Sequence, residues 1–512
     1  MESRLVAVLE IGSTGIRLIV AQLLDGGQWE EKTRAEWPVA LGRDVFSTGE
    51  LSRESLIECL SVLRNFRELL SGWGIAPGEA RCIATSALRV ARNRDIFADR
   101  VRRETGFALT VVEGLEENRL MYLGARFALR QDLPLFWRAN SMILEMGGGS
   151  TEVMLLRQGR MAAAHSIKLG TIHIDRRMRL RAGPGLFSER YLRDAVRNTM
   201  GLLNADMDMA GVRALAIAGA DARLAASHVG SRLNDHCRVI ARGDFIAFAD
   251  KIRGYSIDDC IKALGMSYSD AEGFVSGILA LRLFLEQTKA EQIAVLLVSI
   301  REGCLIDLAQ QGADPELQED FRSQIIASAA SLGKKHGYDE EHALHVARLC
   351  MALFDALPEE QHGMGARQRM MLEAAAILHD VGTVISPSGH HRHGHYIVSN
   401  SDIFGLARSE LDAIAGAVRY HRGEAPSEAD PEFAALARGE RILVLKMASI
   451  LRVADALDRG HAQKIKKLSV ERRSSTLALH AGGAYDISLE LLSLEEKADL
   501  FQDVFGYKVV LS

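Results

Sequence analysis

Cysteine pairing is absent from this sequence. The six cysteines (Cys59, Cys82, Cys237, Cys260, Cys304, Cys350) are scattered, with no Cys-x-x-Cys among them. That pattern argues against a disulfide framework or a thiolate zinc site and reads as reduced, mostly buried thiols of a cytoplasmic protein. No apolar run approaches the roughly 20 residues of a membrane span. The first residues lack the basic start and long apolar stretch of a secretory leader. A net charge of −5 supplies no global basic field, so neither nucleic acid nor a membrane is expected as a partner, and an anionic substrate needs a local basic patch. Low-complexity linkers are missing as well, which predicts tightly packed modules. What remains is a 512-residue chain with 48% hydrophobic content, enough for three or four domains with their own cores.

Two short segments look like one device used twice: Leu9-Glu10-Ile11-Gly12-Ser13-Thr14-Gly15 and Leu144-Glu145-Met146-Gly147-Gly148-Gly149-Ser150-Thr151-Glu152. Each lies between apolar runs, so each reads as strand, acidic residue, Gly/Ser turn, strand. Glycines let backbone N–H groups approach an anion, and Ser or Thr hydroxyls add donors. A carboxylate at the strand end can hold a divalent cation. Two such hairpins, each opening a βββαβ-like unit, predict facing lobes with a phosphate cleft between them.

Strands alternate with helices up to about residue 314, which gives an α/β class with mixed sheets. The spacing predicts helices over 53–70, 93–105, from about 116, 189–203, 256–264 and 271–288, with strands at 81–85, 109–112, 214–218 and 293–298. Residues 316–460 carry helical periodicity throughout. The last fifty residues turn β-like at 468–470, 477–480, 487–491 and 507–511, a small α+β tail. The expected domains are 1–130, 131–314, 315–460 and 461–512.

Between the hairpins, Val112-Glu113-Gly114-Leu115-Glu116-Glu117-Asn118-Arg119 ends a strand and opens a helix. Acids in a first helical turn are common because they complement the macrodipole. The other reading is that one carboxylate orients or deprotonates a water for attack on phosphate.

The hairpin pair, the Ala84-Thr85-Ser86-Ala87-Leu88-Arg89 segment and the Glu-Gly-x-Glu-Glu-x-Arg turn together resemble the exopolyphosphatase / guanosine pentaphosphate phosphohydrolase family. The resemblance implies two ribonuclease H-like lobes of the actin-like ATPase superfamily, then an all-α HD-type domain and the α+β tail. It implies a cytoplasmic, homodimeric, Mg²⁺-dependent hydrolase that releases terminal orthophosphate from inorganic polyphosphate or guanosine pentaphosphate. Glu117, with Glu116 beside it, would orient the water, and Arg89 would face the cleft. Ser13, Thr14, Arg17, Gly147, Gly148, Gly149, Ser150 and Thr151 would bind phosphate, and Glu145 and Glu10 would hold Mg²⁺. Five places depart from the family pattern. Glu10 and Glu145 replace aspartates, Gly12-Ser13-Thr14-Gly15 replaces Gly-Ser-Asn-Ser, Ala40 replaces an arginine, and Ala220-Asp221 replaces Gly-Thr.

The helical region carries His345, His379-Asp380 and Asp455 on three helices. This is the ligand set of an HD-type phosphohydrolase, suited to a second divalent transition metal. Further histidines lie at His390, His391, His393, His395 and His421. Lys464, Lys466, Lys467, Arg472 and Arg473, with Arg392 and Arg422, are candidates to line a polyanion channel. Two alternatives stay open: a regulatory polyphosphate or nucleotide binder with a weakened front site, and a metal phosphohydrolase centred on the HD-type domain.

Overall fold

The computed structural model describes residues 4–24, 28–129, 132–172, 174–175, 186–309, 315–482 and 486–512. They form two compact units, Met1–Glu319 and Asp320–Ser512. The expected lobe boundaries at 130/131 and 314 lie outside the described residues.

The first unit contains two sheets built to one plan. In the first, β1 (Arg4–Ile11), β2 (Gly15–Leu23), β3 (Trp29–Pro38), β4 (Arg81–Ala84) and β5 (Leu109–Val111) take the order β3-β2-β1-β4-β5. In the second, β6 (Asn140–Met146), β7 (Thr151–Arg157), β8 (Arg160–Ile167), β9 (Ala214–Ala218) and β12 (Gln292–Leu296) repeat that order. A hairpin of β10 (Ser231–Asn234) and β11 (Cys237–Ala241) is added on the β12 edge. The β1–β2 and β6–β7 pairs are antiparallel, whereas β1–β4, β4–β5, β6–β9 and β9–β12 are parallel. This is the actin-like arrangement. The central strands are covered on both faces and read as unbroken apolar runs: Val6-Ala7-Val8-Leu9 and Met142-Ile143-Leu144 are fully buried. The appended hairpin and the helices Ala220–Val229, Arg242–Ile252 and Ile300–Ala309 carry weaker periodicity, which does not mark them in the sequence.

Equivalent helices of the two halves, Gly114–Leu129 after β5 and Ile300–Ala309 after β12, cross at a glycine. A Cβ on Gly303 would fall on the Leu120 carbonyl. An ion pair from Arg119 Nη1 to Asp307 Oδ1 at 2.7 Å clamps the crossing, and Arg81 reaches the other oxygen of Asp307 at 2.8 Å.

The second unit is mainly helical, with most of the helix Pro315–Lys335 and the helices Glu340–Ala356, Ala366–Leu378, His390–Ser399, Arg408–Tyr420 and Arg438–Ala456. A three-stranded sheet of β13 (Lys467–Arg473), β14 (Thr476–Gly482) and β15 (Lys508–Leu511) belongs to the same unit. One expected strand is corrected here: residues 487–491 open the helix Ser488–Lys497. The alternating Ile487, Leu489 and Leu491 suggested a strand. The chain instead turns Glu490 and Leu494 inward and leaves Leu489 and Leu492 exposed, with Asp486 accepting from the Ser488 N–H. All six cysteines are buried and unpaired. No helix among the described residues is long and apolar enough to cross a membrane.

The helix crossing sets a test of packing. Gly303→Ala is expected to destabilise the protein by about 1–3 kcal/mol through overpacking. Gly243→Ala, where nothing lies within 4 Å of the added carbon, is expected to be neutral or stabilising by up to about 1 kcal/mol. Urea midpoints of the two variants against the parent measure the difference. Equal midpoints for the two variants would contradict the close crossing.

Candidate functional site

A cleft of about 430 Å³ opens between the two sheets of the first unit. Both Gly/Ser turns reach it, closed alike by a hydrogen bond from the Gly12 N–H to the Gly15 carbonyl and from the Gly147 N–H to the Ser150 carbonyl, each 2.9 Å. The turns nearly touch: Ser13 Oγ lies 3.0 Å from Ser86 Oγ, and a Cβ on Gly148 would contact the side chain of Ser13. A third strand end, Gly219 with φ 120°, passes so close to the Met146 carbonyl that any larger residue would collide.

The twin hairpins share a backbone but not their charges. Glu10 stands directly across from Arg17 on β1 and β2, whereas Glu145 stands directly across from Glu152 on β6 and β7. Glu10 is further held by Arg301, with Nε 3.1 Å from Oε2. Glu145 makes no ion pair among the described residues. Burial, with Glu117 and Glu10 nearby, pushes Glu145 up to about 8. Burial and the Glu117 charge push Glu152 well above the usual carboxylate range.

Glu117 sits in the first turn of the Gly114–Leu129 helix. A Cβ on Gly114 would overlap Ser166, so only glycine lets this helix start lie against β8 and bring Glu117 to Glu152. Arg89 Nη1 donates to Glu117 Oε2 at 2.6 Å and to the Val112 carbonyl at 2.9 Å. Burial raises the Glu117 pKa, against the pull of Arg89. Ser150 and Ser166 donate to Glu152 Oε1 at 2.8 and 2.9 Å, while its Oε2 is buried with no hydrogen-bond partner. An orphaned carboxylate oxygen beside an unpaired, crowded glutamate fits a divalent cation at Glu145 and Glu152. Glu10 is already engaged by arginines.

Arg17, Arg223 and Arg301 bring positive charge to the same cleft. Burial, and then the charges of Arg17 and Arg301, lower the Arg223 pKa. Arg301 Nη1 is buried without an acceptor. Such a group is suited to oxyanions.

The expected site residues sort as follows. Glu10, Ser13, Thr14, Arg17, Glu117, Glu145, Gly147, Gly148 and Ser150 line the cleft, and Arg89 meets it through Glu117. Glu116 does not: both its oxygens are held 2.7 Å from the Arg119 guanidinium, so it serves the helix crossing. The Thr151 hydroxyl donates to the Leu169 carbonyl, and Gly149 is packed under Phe46. The sequence reading missed Glu152, Arg223 and Arg301 as functional candidates. Glu152 stood inside the quoted motif, and Ser299-Ile300-Arg301-Glu302 directly follows the β12 segment as a strand-end signal. Nothing in the sequence marked Arg223.

In the second unit, His379, Asp380 and Asp455 come together, but His345 is corrected. Its Nδ1 accepts from Arg348 at 3.1 Å and its Nε2 is buried without a partner. His342, one turn earlier on the same helix, faces the group instead, its Nε2 3.2 Å from His379 Nε2. Residues three apart share one side of a helix, and only the packing register selects between them.

A family model described as the Ppx/GppA phosphatase family matches residues 28–311, and one for Ppx/GppA phosphatase, domain III, matches residues 326–498. The chain belongs to this family. Among curated relatives, a guanosine-5'-triphosphate,3'-diphosphate pyrophosphatase of Pseudoalteromonas atlantica is 26% identical over 461 residues, covering 88% of this chain and 86% of that protein. One of Photobacterium profundum is 24% identical over 520 residues, covering 99% and 98%. Among solved structures, an exopolyphosphatase from Cytophaga hutchinsonii aligns with a TM-score of 0.55 at 17% identity, over 60% of this chain and 98% of that one. The Ppx/GppA family member of Aquifex aeolicus aligns with a TM-score of 0.51 at 21% identity, over 61% and 99%. These likenesses support the fold of the first unit.

Asp221, where the family pattern has threonine, gives a pH test. Burial and neighbouring Asp270 push its carboxyl up to about 8, against Arg223. Folding therefore protonates a group that is ionised in the unfolded chain, and this cost grows from about pH 4 to about pH 8. Asp221→Asn removes the cost. Its gain in Tm is expected to be larger at pH 8.5 than at pH 5, and an equal gain at both would refute the assignment.

Proposed function

We propose that the cleft hydrolyses the terminal phosphoanhydride bond of a polyphosphorylated anion and releases orthophosphate. The observation that carries this reading is one buried carboxylate, Glu117, fixed by Arg89 in a cleft lined by two phosphate-type turns and three arginines. The names of the relatives suggest the substrate class: guanosine pentaphosphate or inorganic polyphosphate. Both present the same terminal group to the turns.

In this mechanism the N–H groups of residues 13–14 and 148–150, with the Ser13 and Thr14 hydroxyls, hold the terminal phosphoryl group. Arg17, Arg223 and Arg301 take the negative charge of the remaining chain. Glu117 accepts a proton from water as the water oxygen bonds to the terminal phosphorus. The bridging P–O bond breaks, its electron pair stays on the departing phosphate chain, and the proton on Glu117 passes to that leaving oxygen. A raised pKa suits a carboxylate to this exchange near neutral pH. Glu145 and Glu152 would hold Mg²⁺, which would neutralise charge on the phosphoryl oxygens. The second unit we read as an HD-type domain, on the strength of His379-Asp380 and Asp455 meeting on packed helices.

Orthophosphate release from both substrates tests the assignment. Glu117→Gln is expected to lower kcat by about 10²- to 10⁴-fold with KM little changed. Arg301→Ala is expected to act mainly on KM. Near-parental turnover of Glu117→Gln would remove the cleft from the reaction.

A further inference from the structure

Glu302 is a buried carboxylate that the hydrolytic scheme does not use. Ser299, Ile300 and Arg301 line the cleft, and Glu302 follows them in the first turn of the helix Ile300–Ala309. A serine followed three residues later by a glutamate at a helix start ordinarily caps the helix and does no more. Here the Ser299 N–H does donate to Glu302 Oε2, at 2.7 Å. Two further sets of contacts have no part in capping.

The first leads toward the cleft. The Ser299 hydroxyl donates to the same Glu302 oxygen at 2.6 Å. With its hydrogen committed there, the Ser299 oxygen has only lone pairs left to offer. It accepts from the Arg301 backbone N–H at 3.3 Å and from Arg301 Nε at 3.2 Å. Glu10 Oε2, on β1 of the other sheet, lies 3.1 Å from the same Nε. The guanidinium is thereby held at Nε, and its Nη1 is buried with no acceptor among the described residues. A buried donor left in that state costs free energy, and an oxyanion in the cleft relieves it.

The second contact crosses between the sheets. Arg34, on β3, donates Nη2 to Glu302 Oε1 at 2.6 Å. Burial acts to raise the Glu302 pKa, but Arg301 and Arg34 hold the carboxyl below the usual carboxylate range. The carboxylate thus accepts three hydrogen bonds on its two oxygens. Its charge keeps the Ser299 hydrogen turned away from Arg301.

We propose that Glu302 is a positioning residue: through the Ser299 hydroxyl it sets Arg301 with Nη1 open to a substrate oxyanion. This role rests on the cleft being the phosphoanhydride site proposed for it, with Arg301 as an anion contact.

Affinity of the full chain for diimidotriphosphate, the P–NH–P analogue of tripolyphosphate, is titrated calorimetrically so that turnover does not enter. Arg301→Ala is expected to weaken binding by about 10- to 100-fold, the loss of a charge-assisted hydrogen bond. Ser299→Ala keeps the Ser299 N–H and Arg34 on Glu302 and removes only the hydroxyl between Glu302 and Arg301. It should weaken binding by about 3- to 10-fold, and Glu302→Ala by at least as much. In the Arg301→Ala background each should add less than about twofold. Undiminished effects in that background would make both residues simple helix caps and overturn the proposal. Parental affinity in Ser299→Ala would overturn it even if Glu302→Ala does not fold. Parental affinity in Arg301→Ala would overturn it as well, because nothing would remain to be positioned. Near-parental turnover of Glu117→Gln would instead remove the hydrolytic reading, while the Arg301 comparison still decides the role of Glu302.

Discussion

Burial of Glu145 and Glu152, each beside Glu117, sets the electrostatics of the cleft. The antiparallel register of β6 and β7 sets them opposite each other, with the sheet core behind them. Such a pair persists only with a proton or a cation nearby. Around it the structure gathers the groups that manage the charge: Ser150 and Ser166 on one Glu152 oxygen, and Arg89 on Glu117. The other hairpin has the same turn but sets Glu10 against Arg17. The duplicated backbone therefore carries an acid–acid pair in one hairpin and an acid–arginine pair in the other.

Close backbone approach is the second constraint, and glycine marks its positions. Gly114 lets a helix start reach β8, and Gly303 lets two equivalent helices cross at a carbonyl. Any side chain there would push the sheets apart, and Glu117 would move away from the turns it is proposed to serve. The ion pairs of Arg119 with Glu116 and Asp307 belong to the same crossing. Glu116 and Glu117 are adjacent in sequence, yet one braces the scaffold and the other faces the cleft.

The second unit works on different physics. Carbonyls and Asp458 accept from the Nδ1–H of four imidazoles, so the cluster is oriented by hydrogen bonds on the outside of each ring. His342 and His345 differ by less than one helical turn, but one has its Nε2 in the cluster and the other has its Nε2 buried without a partner. Helix packing, not residue type, made that choice.

Local sequence determined a good deal. Apolar runs and glycine turns specified both hairpins, because strand alternation and turn chemistry act over a few residues. The Glu-Gly-x-Glu-Glu segment specified a helix start for the same reason. The strand order, the added β10–β11 hairpin and the helical fate of residues 488–491 were decided by tertiary packing, since alternating leucines satisfy a strand or a helix until a partner surface exists. The inward turn of Arg223 and Arg301, the diversion of the Thr151 hydroxyl to Leu169, and the choice of His342 over His345 were likewise tertiary. Each depends on which distant backbone lies within hydrogen-bonding range, a distance that sequence spacing does not encode.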